Sequence, residues 1–179
     1  GFGDGSVLSL ATYQNQVHAG GTFKTSGATS VSYIARFDGV AWQPLAGGAS
    51  GGDSFLGIYS MLEFNSDLCI AGGFTTVNGS LCPYAARWNG SAWTPMPFPL
   101  GGATNGARSL AIYNGTLYCA GTFGIAGGVY FAKWNGSAWV NGGAIFNVPS
   151  GAYCLGVFAN NLYIGGVFTR VNDNAYNRI

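Results

Sequence analysis

The chain has 179 residues and a net charge of +1, and only 7% of them are charged, against about 25% in ordinary soluble domains. With no basic patch to neutralise phosphates, nucleic-acid binding is excluded. No run approaches the ~18 apolar residues of a transmembrane helix, so no membrane span is expected. Hydrophobic residues make up 48% and aromatics 15%, and the 31 glycines lack the three-residue period of collagen, which points to many short strands joined by tight turns. A surface this poor in charge must be solubilised by Ser, Thr and Asn, by attached sugars, or by burial against copies. The expected setting is therefore secreted, extracellular or cell-surface.

In chain order, the first expected strand is Ser6 to Tyr13, followed by a turn at Gln14-Asn15. The second, in His18-Ala-Gly-Gly-Thr-Phe23, ends in a Gly pair. The third is Ser32 to Phe37, and after Asp38-Gly39 the fourth carries Trp42. The order returns with Phe55 to Phe64, a turn at Asn65-Ser66-Asp67, Cys69 to Phe74, Pro83 to Trp88, Asn89-Gly90 and the Trp93 strand. It returns again with Arg108 to Tyr113, Asn114-Gly115, Tyr118 to Phe123, Val129 to Trp134, Asn135-Gly136 and the Trp139 strand. A fourth round has Ala152 to Phe158, a turn at Asn160-Asn161, and Tyr163 to Phe168. Asn and Gly tolerate the positive φ of primed hairpin turns, so Asn-Gly and Asp-Gly steps are strong hairpin signals.

The phenylalanines closing the Gly segments, Phe23, Phe74, Phe123 and Phe168, are spaced by 51, 49 and 45 residues. A period of about 40 to 50 residues is that of a four-stranded propeller blade. The predicted fold is all-β: antiparallel four-stranded repeats arranged as a β-propeller, closed as four blades or forming an arc of a larger one. The copies are expected at about residues 6–51, 52–106, 107–150 and 151–179 of a single repeat domain. The last stops at Asn177-Arg178-Ile179, before a fourth strand, and the chain opens Gly-Phe-Gly-Asp-Gly without Met, so a segment of a longer repeat protein is expected. One unit of this kind cannot bury its sheet faces alone, and stacked neighbours must cover them.

The pattern Ala35-Arg-Phe-Asp-Gly-x-x-Trp42 recurs as Ala86-Arg-Trp-Asn-Gly-x-x-Trp93 and Ala132-Lys-Trp-Asn-Gly-x-x-Trp139. All five tryptophans fall inside it, so Phe37, Trp42, Trp88, Trp93, Trp134 and Trp139 are assigned a structural role in packing. Combined with the Gly pair and its Phe, the unit resembles kelch-like β-propeller repeats of secreted bacterial and fungal cell-surface proteins. It departs from standard kelch in the Phe after the Gly pair and the Asn-Gly or Asp-Gly between the aromatics. The resemblance implies a fold and leaves function open.

Catalytic constellations are thin. His18 is the only histidine; it sits on the second strand, aligned with Ile70, Cys119 and Ile164, and no Gly-x-Ser-x-Gly elbow accompanies it. The acids Asp4, Asp38, Asp53, Glu63, Asp67 and Asp173 are scattered, and only Glu63 and Asp67 are near neighbours, so paired-carboxylate chemistry is not marked. Neither an enzyme nor a cofactor or metal is expected. The oxygen-rich stretch Asn172 to Asn177 holds one carboxylate and is taken as a plain loop, not a calcium site. The recurrent cation (Arg36, Arg87, Lys133, Arg178) is expected to stack on an aromatic or pair across blades.

Four sequons, Asn78, Asn89, Asn114 and Asn135, are possible N-glycosylation sites; three coincide with hairpin turns, and Asn78 is placed in a longer loop. The stretch Thr25 to Ser32 is a further, O-linked candidate. Cys69, Cys82, Cys119 and Cys154 are possible disulfide partners, with Cys69 and Cys82 able to face each other within one copy and three pairings open. The expected function is a non-catalytic structural module that builds a filament, sheath, adhesin stalk or virion appendage. Its partners would be copies of itself or neighbouring repeats of a longer chain. The alternative is a lectin-like, carbohydrate-binding module using Tyr33, Tyr84, Tyr130 and Tyr176 to stack on sugars.

Overall fold

The computed structural model describes residues 1–52, 56–98, 106–125, 128–143, 151–168, 170–171 and 174–175. Among these residues every regular element is a strand and every strand pairing is antiparallel. No helix long and apolar enough to cross a membrane occurs among them. Copy one forms β1 (Val7–Tyr13), β2 (Gln16–Gly21), the hairpin β3 (Thr25–Ser26) and β4 (Thr29–Ser30), then β5 (Ile34–Phe37) and β6 (Trp42–Pro44). The short β7 (Ala49–Ser50) closes copy one, and copy two forms β8 (Ile58–Phe64), β9 (Asp67–Gly72), the hairpin β10 (Thr76–Val77) and β11 (Ser80–Leu81), β12 (Ala85–Trp88) and β13 (Trp93–Pro95). Copy three forms β14 (Ala107–Tyr113), β15 (Thr116–Ile125), β16 (Gly128–Trp134) and β17 (Trp139–Asn141). Copy four contributes β18 (Ala152–Phe158), β19 (Asn161–Gly166), β20 (Arg170–Val171) and β21 (Asn174–Ala175).

The sheets β1-β2-β5-β6, β8-β9-β12-β13 and β14-β15-β16-β17 share one order, and β18 pairs with β19. The described part of each copy thus follows the strand order expected from the repeat. Asp53, Phe55 and the end of copy four, including Asn172, Asp173, Tyr176, Asn177 and Arg178, lie outside the described residues. The chain divides into two compact units, Gly1–Met96 with copies one and two, and Pro97–Ile179 with copies three and four.

The first turn of each copy is a two-residue turn of the primed type. Gln14 and Asn15 (φ 47° and 59°), Asn65 and Ser66 (51° and 65°), Asn114 and Gly115 (48° and 72°), and Ala159 and Asn160 (46° and 58°) all take positive φ, which matches the right-handed twist of the flanking strands. The fourth turn therefore sits one residue earlier than Asn160-Asn161, because Asn161 already pairs with Phe158. The second turn differs from the expected tight Asn-Gly hairpin. Phe37 pairs with Trp42, Trp88 with Trp93 and Trp134 with Trp139, which leaves four loop residues. There the first side chain caps the loop: Asp38 Oδ1 accepts from Val40 N and Ala41 N, and Asn89 and Asn135 Oδ1 accept from the matching amides. Asn or Asp is needed for its side-chain acceptor, and positive φ falls only on Gly39, Gly90 and Gly136.

The third strands start later than Ser32 and Pro83, at Ile34 and Ala85. Tyr33, Tyr84 and Tyr130 hold left-handed backbone (φ 72°, 68° and 69°), uncommon for a bulky residue. In copies one and two the same two bonds hold it there: Tyr33 N donates to Phe23 O and Gly21 N to Tyr33 O, Tyr84 N to Phe74 O and Gly72 N to Tyr84 O.

The Gly pair has a repeated cause. A β-bulge falls at the same place in all four copies, between Val7 and Ser9, Ile58 and Ser60, Ala107 and Ser109, and Ala152 and Cys154. Beside it the carbonyls of Ser6, Gly57, Gly106 and Gly151 accept from Thr22, Gly73, Thr122 and Val167 N. A Cβ on Gly21, Gly72 or Gly166 would collide with backbone there, the carbonyl oxygens of Ser6, Gly57 and Gly151 respectively. Gly72→Ala is therefore expected to lower stability by about 1–3 kcal/mol, read as a lower urea midpoint, whereas Gly79→Ala, where no atom lies within 4 Å but φ is 74°, is strained by the backbone alone.

In unit one the core lies between the sheets of copies one and two, where Ile34, Ile58, Leu68, Ile70 and Phe74 are wholly buried. Tyr13 Oη donates across it to Ser66 O (3.1 Å). On the other side of copy one, Phe2 stacks on Phe23 (3.9 Å) and meets Trp42 (5.1 Å). Unit two repeats both devices: Tyr113 Oη donates to Asn160 O (3.3 Å), and Phe98 lies against Phe123 and Trp139 (4.7 and 5.2 Å).

Candidate functional site: a polar cavity and two open sheet faces

The repeat aromatics occupy one recurring position. Phe37–Trp42, Trp88–Trp93 and Trp134–Trp139 are cross-strand neighbours at 5.3, 5.2 and 5.5 Å between ring centroids, and Trp88 and Trp139 are buried. Of the tyrosines considered for sugar stacking, Tyr33 is buried in the core of unit one and Tyr130 packs against the Phe131–Phe168 cluster. Tyr84 is half-buried.

All four sequon asparagines are exposed. Asn78 is the tip of the tight β10–β11 hairpin (φ 49°, then Gly79 at 74°), not part of a longer loop. In Asn89 and Asn135 the side-chain oxygen also accepts from the sequon hydroxyls of Ser91 and Ser137 (2.9 and 3.0 Å). A groove of about 150 Å³ runs beside Asn78, lined by Ser80, Cys82, Ser91 and Trp93.

The four cysteines are free thiols; Cys69, Cys82 and Cys119 are buried and Cys154 is exposed. The register places Cys69 opposite Leu62 and Arg87, and Cys82 Sγ faces Ala85 O (3.2 Å). Burial pushes the Cys69 thiol up to about 12 and Cys82 to about 11, and raises Cys119 well above its ordinary value. Thiolate is the reactive form, so iodoacetamide at pH 8 is expected to label the native protein once, at Cys154, and the other three only after unfolding. Mass spectrometry of the alkylated protein checks this.

The register also corrects one alignment. His18 lies opposite Arg36, Cys69 opposite Arg87 and Tyr118 opposite Lys133, so the counterparts of His18 are Cys69, Tyr118 and Tyr163. Ile70, Cys119 and Ile164 match Ala19 instead. The imidazole of His18 is buried. Its Nδ1 is 3.2 Å from Gln16 O, and a carbonyl only accepts, so Nδ1 carries the proton and Nε2 is left as an acceptor. Burial lowers the pKa of His18, against the hydrogen bond to Gln16 and with the help of the Arg36 charge. The ring stands edge-on to Tyr13 at 5.8 Å.

His18 lines a cavity of about 220 Å³ in unit one, with Tyr13, Gln14, Gln16, Arg36 and Trp88 among the walls. The recurrent cation behaves differently from copy to copy. In copy two, Arg87 Nη1 pairs with Asp67 Oδ2 at 3.4 Å, across strands of one sheet. In copy one the position of Asp67 is taken by Gln16, because Gln16 pairs with Tyr13 as Asp67 pairs with Phe64. Arg36 Nη1 donates to Gln16 Oε1 (3.2 Å), a neutral partner. The carboxylate of Asp38 is held by Val40 N, Ala41 N and Gln43 Nε2. Those bonds and the nearby Arg36 charge keep Asp38 below the usual carboxylate range. Among the described residues no group of His, Cys, Asp and Glu is placed to hold a metal ion.

The second feature is a pair of open sheet faces. On β8, Ile58 and Met61 pack toward β2: a Cβ built on Gly20 would meet Ile58 Cγ2 at 2.6 Å and Met61 Sδ at 3.0 Å. On β1 the same positions are Val7 and Leu10. Leu10 is 62% exposed, whereas its counterparts Met61 and Leu110 are 6% and 7% exposed. In copy four the reverse face is open. Phe158 is 74% exposed, whereas its counterpart Tyr13, covered by copy two, is 2% exposed. Tyr153, Tyr163 and Val167 around it are also exposed.

Comparison with known proteins adds no relative: no protein-family model matches the chain, and no curated protein sequence matches it.

Proposed function

We propose that this chain is a non-catalytic repeat module of kelch-like β-propeller type that assembles end to end with other copies of itself. It would build an extracellular or cell-surface structure such as a filament, sheath, adhesin stalk or virion appendage. The blade-like arrangement is supported within each unit by first strands that lie side by side, β1 with β8 and β14 with β18. The observation that carries the reading is the contrast between exposed Leu10 and buried Met61. Within unit one the sheet of copy one covers Met61, while the matching surface of β1 is bare.

The occupant follows from continuity with the interface inside unit one. There a face carrying Tyr13 and Gly20 receives Ile58 and Met61 from the next sheet. Copy four offers the first kind of face, with Phe158 and Gly165, and copy one the second, with Val7 and Leu10. A head-to-tail contact between two chains would repeat a packing that the chain already uses. Such heterologous contacts form rings when they close and filaments when they do not. The low charge removes repulsion between copies. Sugar binding through the repeat tyrosines has less support, since Tyr33 is buried and Tyr84 and Tyr130 are half-buried. Sedimentation velocity over a concentration series tests the proposal: mass should rise with concentration, and a monomer throughout would refute it.

A further inference from the structure

We propose that the cavity beside His18 and Arg36 is a binding site for a small hydroxylated carboxylate, of the chemical class of a sugar acid. Three observations carry it. The first is the cation. Arg36 stands where Arg87 stands, but the carboxylate that neutralises Arg87 is replaced by the amide of Gln16. Asp38 feels the Arg36 charge, but its oxygens are engaged by the loop amides and Gln43. An arginine fork with a neutral partner presents its remaining N–H groups for a carboxylate.

The second is the histidine. With its Nδ1 proton committed to Gln16 O, the Nε2 of His18 accepts, and a ligand hydroxyl is the donor it would take. Copy two has Cys69 at this position and copy three has Tyr118. The third is the space. About 220 Å³ is below the ~300–1,000 Å³ of pockets for drug-sized ligands and suits a single sugar ring. Gln14 and Tyr13 add polar wall, with Gln14 Nε2 donating to Tyr13 Oη (3.2 Å). Burial, then the charges of Asp67 and Glu63 on the copy-two side, raise the Tyr13 phenol, and Asp67 is paired with Arg87.

The test uses three probes against the full chain, followed by NMR chemical shifts of the His18 ring and by calorimetry. D-Glucuronate carries both groups, acetate only the carboxylate and D-glucose only the hydroxyls. Glucuronate should bind saturably and shift His18, and each of the other two should bind at least about tenfold more weakly, since a hydrogen bond to a charged group is worth more than that factor. Gln16→Glu copies the acid of copy two into copy one; it should neutralise Arg36 and weaken glucuronate by about tenfold or more. Arg36→Gln should do the same. Both variants are checked for unchanged melting temperature, and a variant that unfolds leaves the wild-type probe comparison to decide. No saturable binding of glucuronate, equal binding of glucose or acetate, or undiminished binding by folded Gln16→Glu would overturn the assignment.

Discussion

Phe74→Ala is expected to lower the stability of unit one by about 3–5 kcal/mol, a large share of the roughly 5–15 kcal/mol of an ordinary domain. Phe74 has no exposed surface and closes the Gly segment of copy two, where it joins Ile58, Ile70 and Val77 in one cluster. Its ring cannot be replaced by collapse, because its backbone is fixed on both sides. Phe74 O accepts from Tyr84 N, and the neighbouring Gly73 N donates to Gly57 O. The truncation therefore leaves a cavity next to the bulge, and the urea midpoint should fall while the slope stays unchanged. Val40→Ala serves as control: Val40 sits exposed on a capped turn, and its substitution should stay within about 0.5 kcal/mol of wild type. A Phe74→Ala protein as stable as the control would remove the Gly-Phe segment from the core.

The second large effect is on assembly. Leu10→Asp should leave the monomer folded, since Leu10 is exposed on β1, and should abolish association. At a head-to-tail contact the position of Leu10 becomes that of Met61, packed over the glycine of a neighbouring sheet. A carboxylate buried there without a partner costs about 3–5 kcal/mol, so the association constant should fall by about a hundredfold or more. Unchanged melting with lost association separates this from misfolding.

These two positions also mark what the amino-acid order makes legible. Phe74 stands out in the sequence, because a Gly-x-Phe element closes the second strand of every copy at a blade-like period. Leu10 does not. Met61 is equally apolar, and its burial comes from the neighbouring sheet of copy one, which its own strand does not announce. Turn chemistry was legible in kind but not in length: Asn89-Gly90 and Asn135-Gly136 are two residues of a four-residue capped loop, whereas Asn78-Gly79 is the tight hairpin. Nothing in a tyrosine announces left-handed backbone, so the late start of the third strands at Ile34 and Ala85 was hidden. The cavity was the least legible of all. Its walls come from copy one and from Trp88 and Gly90 of copy two. The one signal for it lay in the aligned copies, where Gln16 replaces Asp67 and His18 replaces Cys69.

In the proposed assembly the face of Leu10 in one chain would meet the face of Phe158 in another. Sedimentation velocity of Leu10→Asp mixed with Phe158→Asp in equal amounts tests it most directly. Each variant keeps one intact face, so each alone should be monomeric, and the mixture should form dimers and stop there. Monomers in the mixture, or assemblies from either variant alone, would contradict the head-to-tail contact.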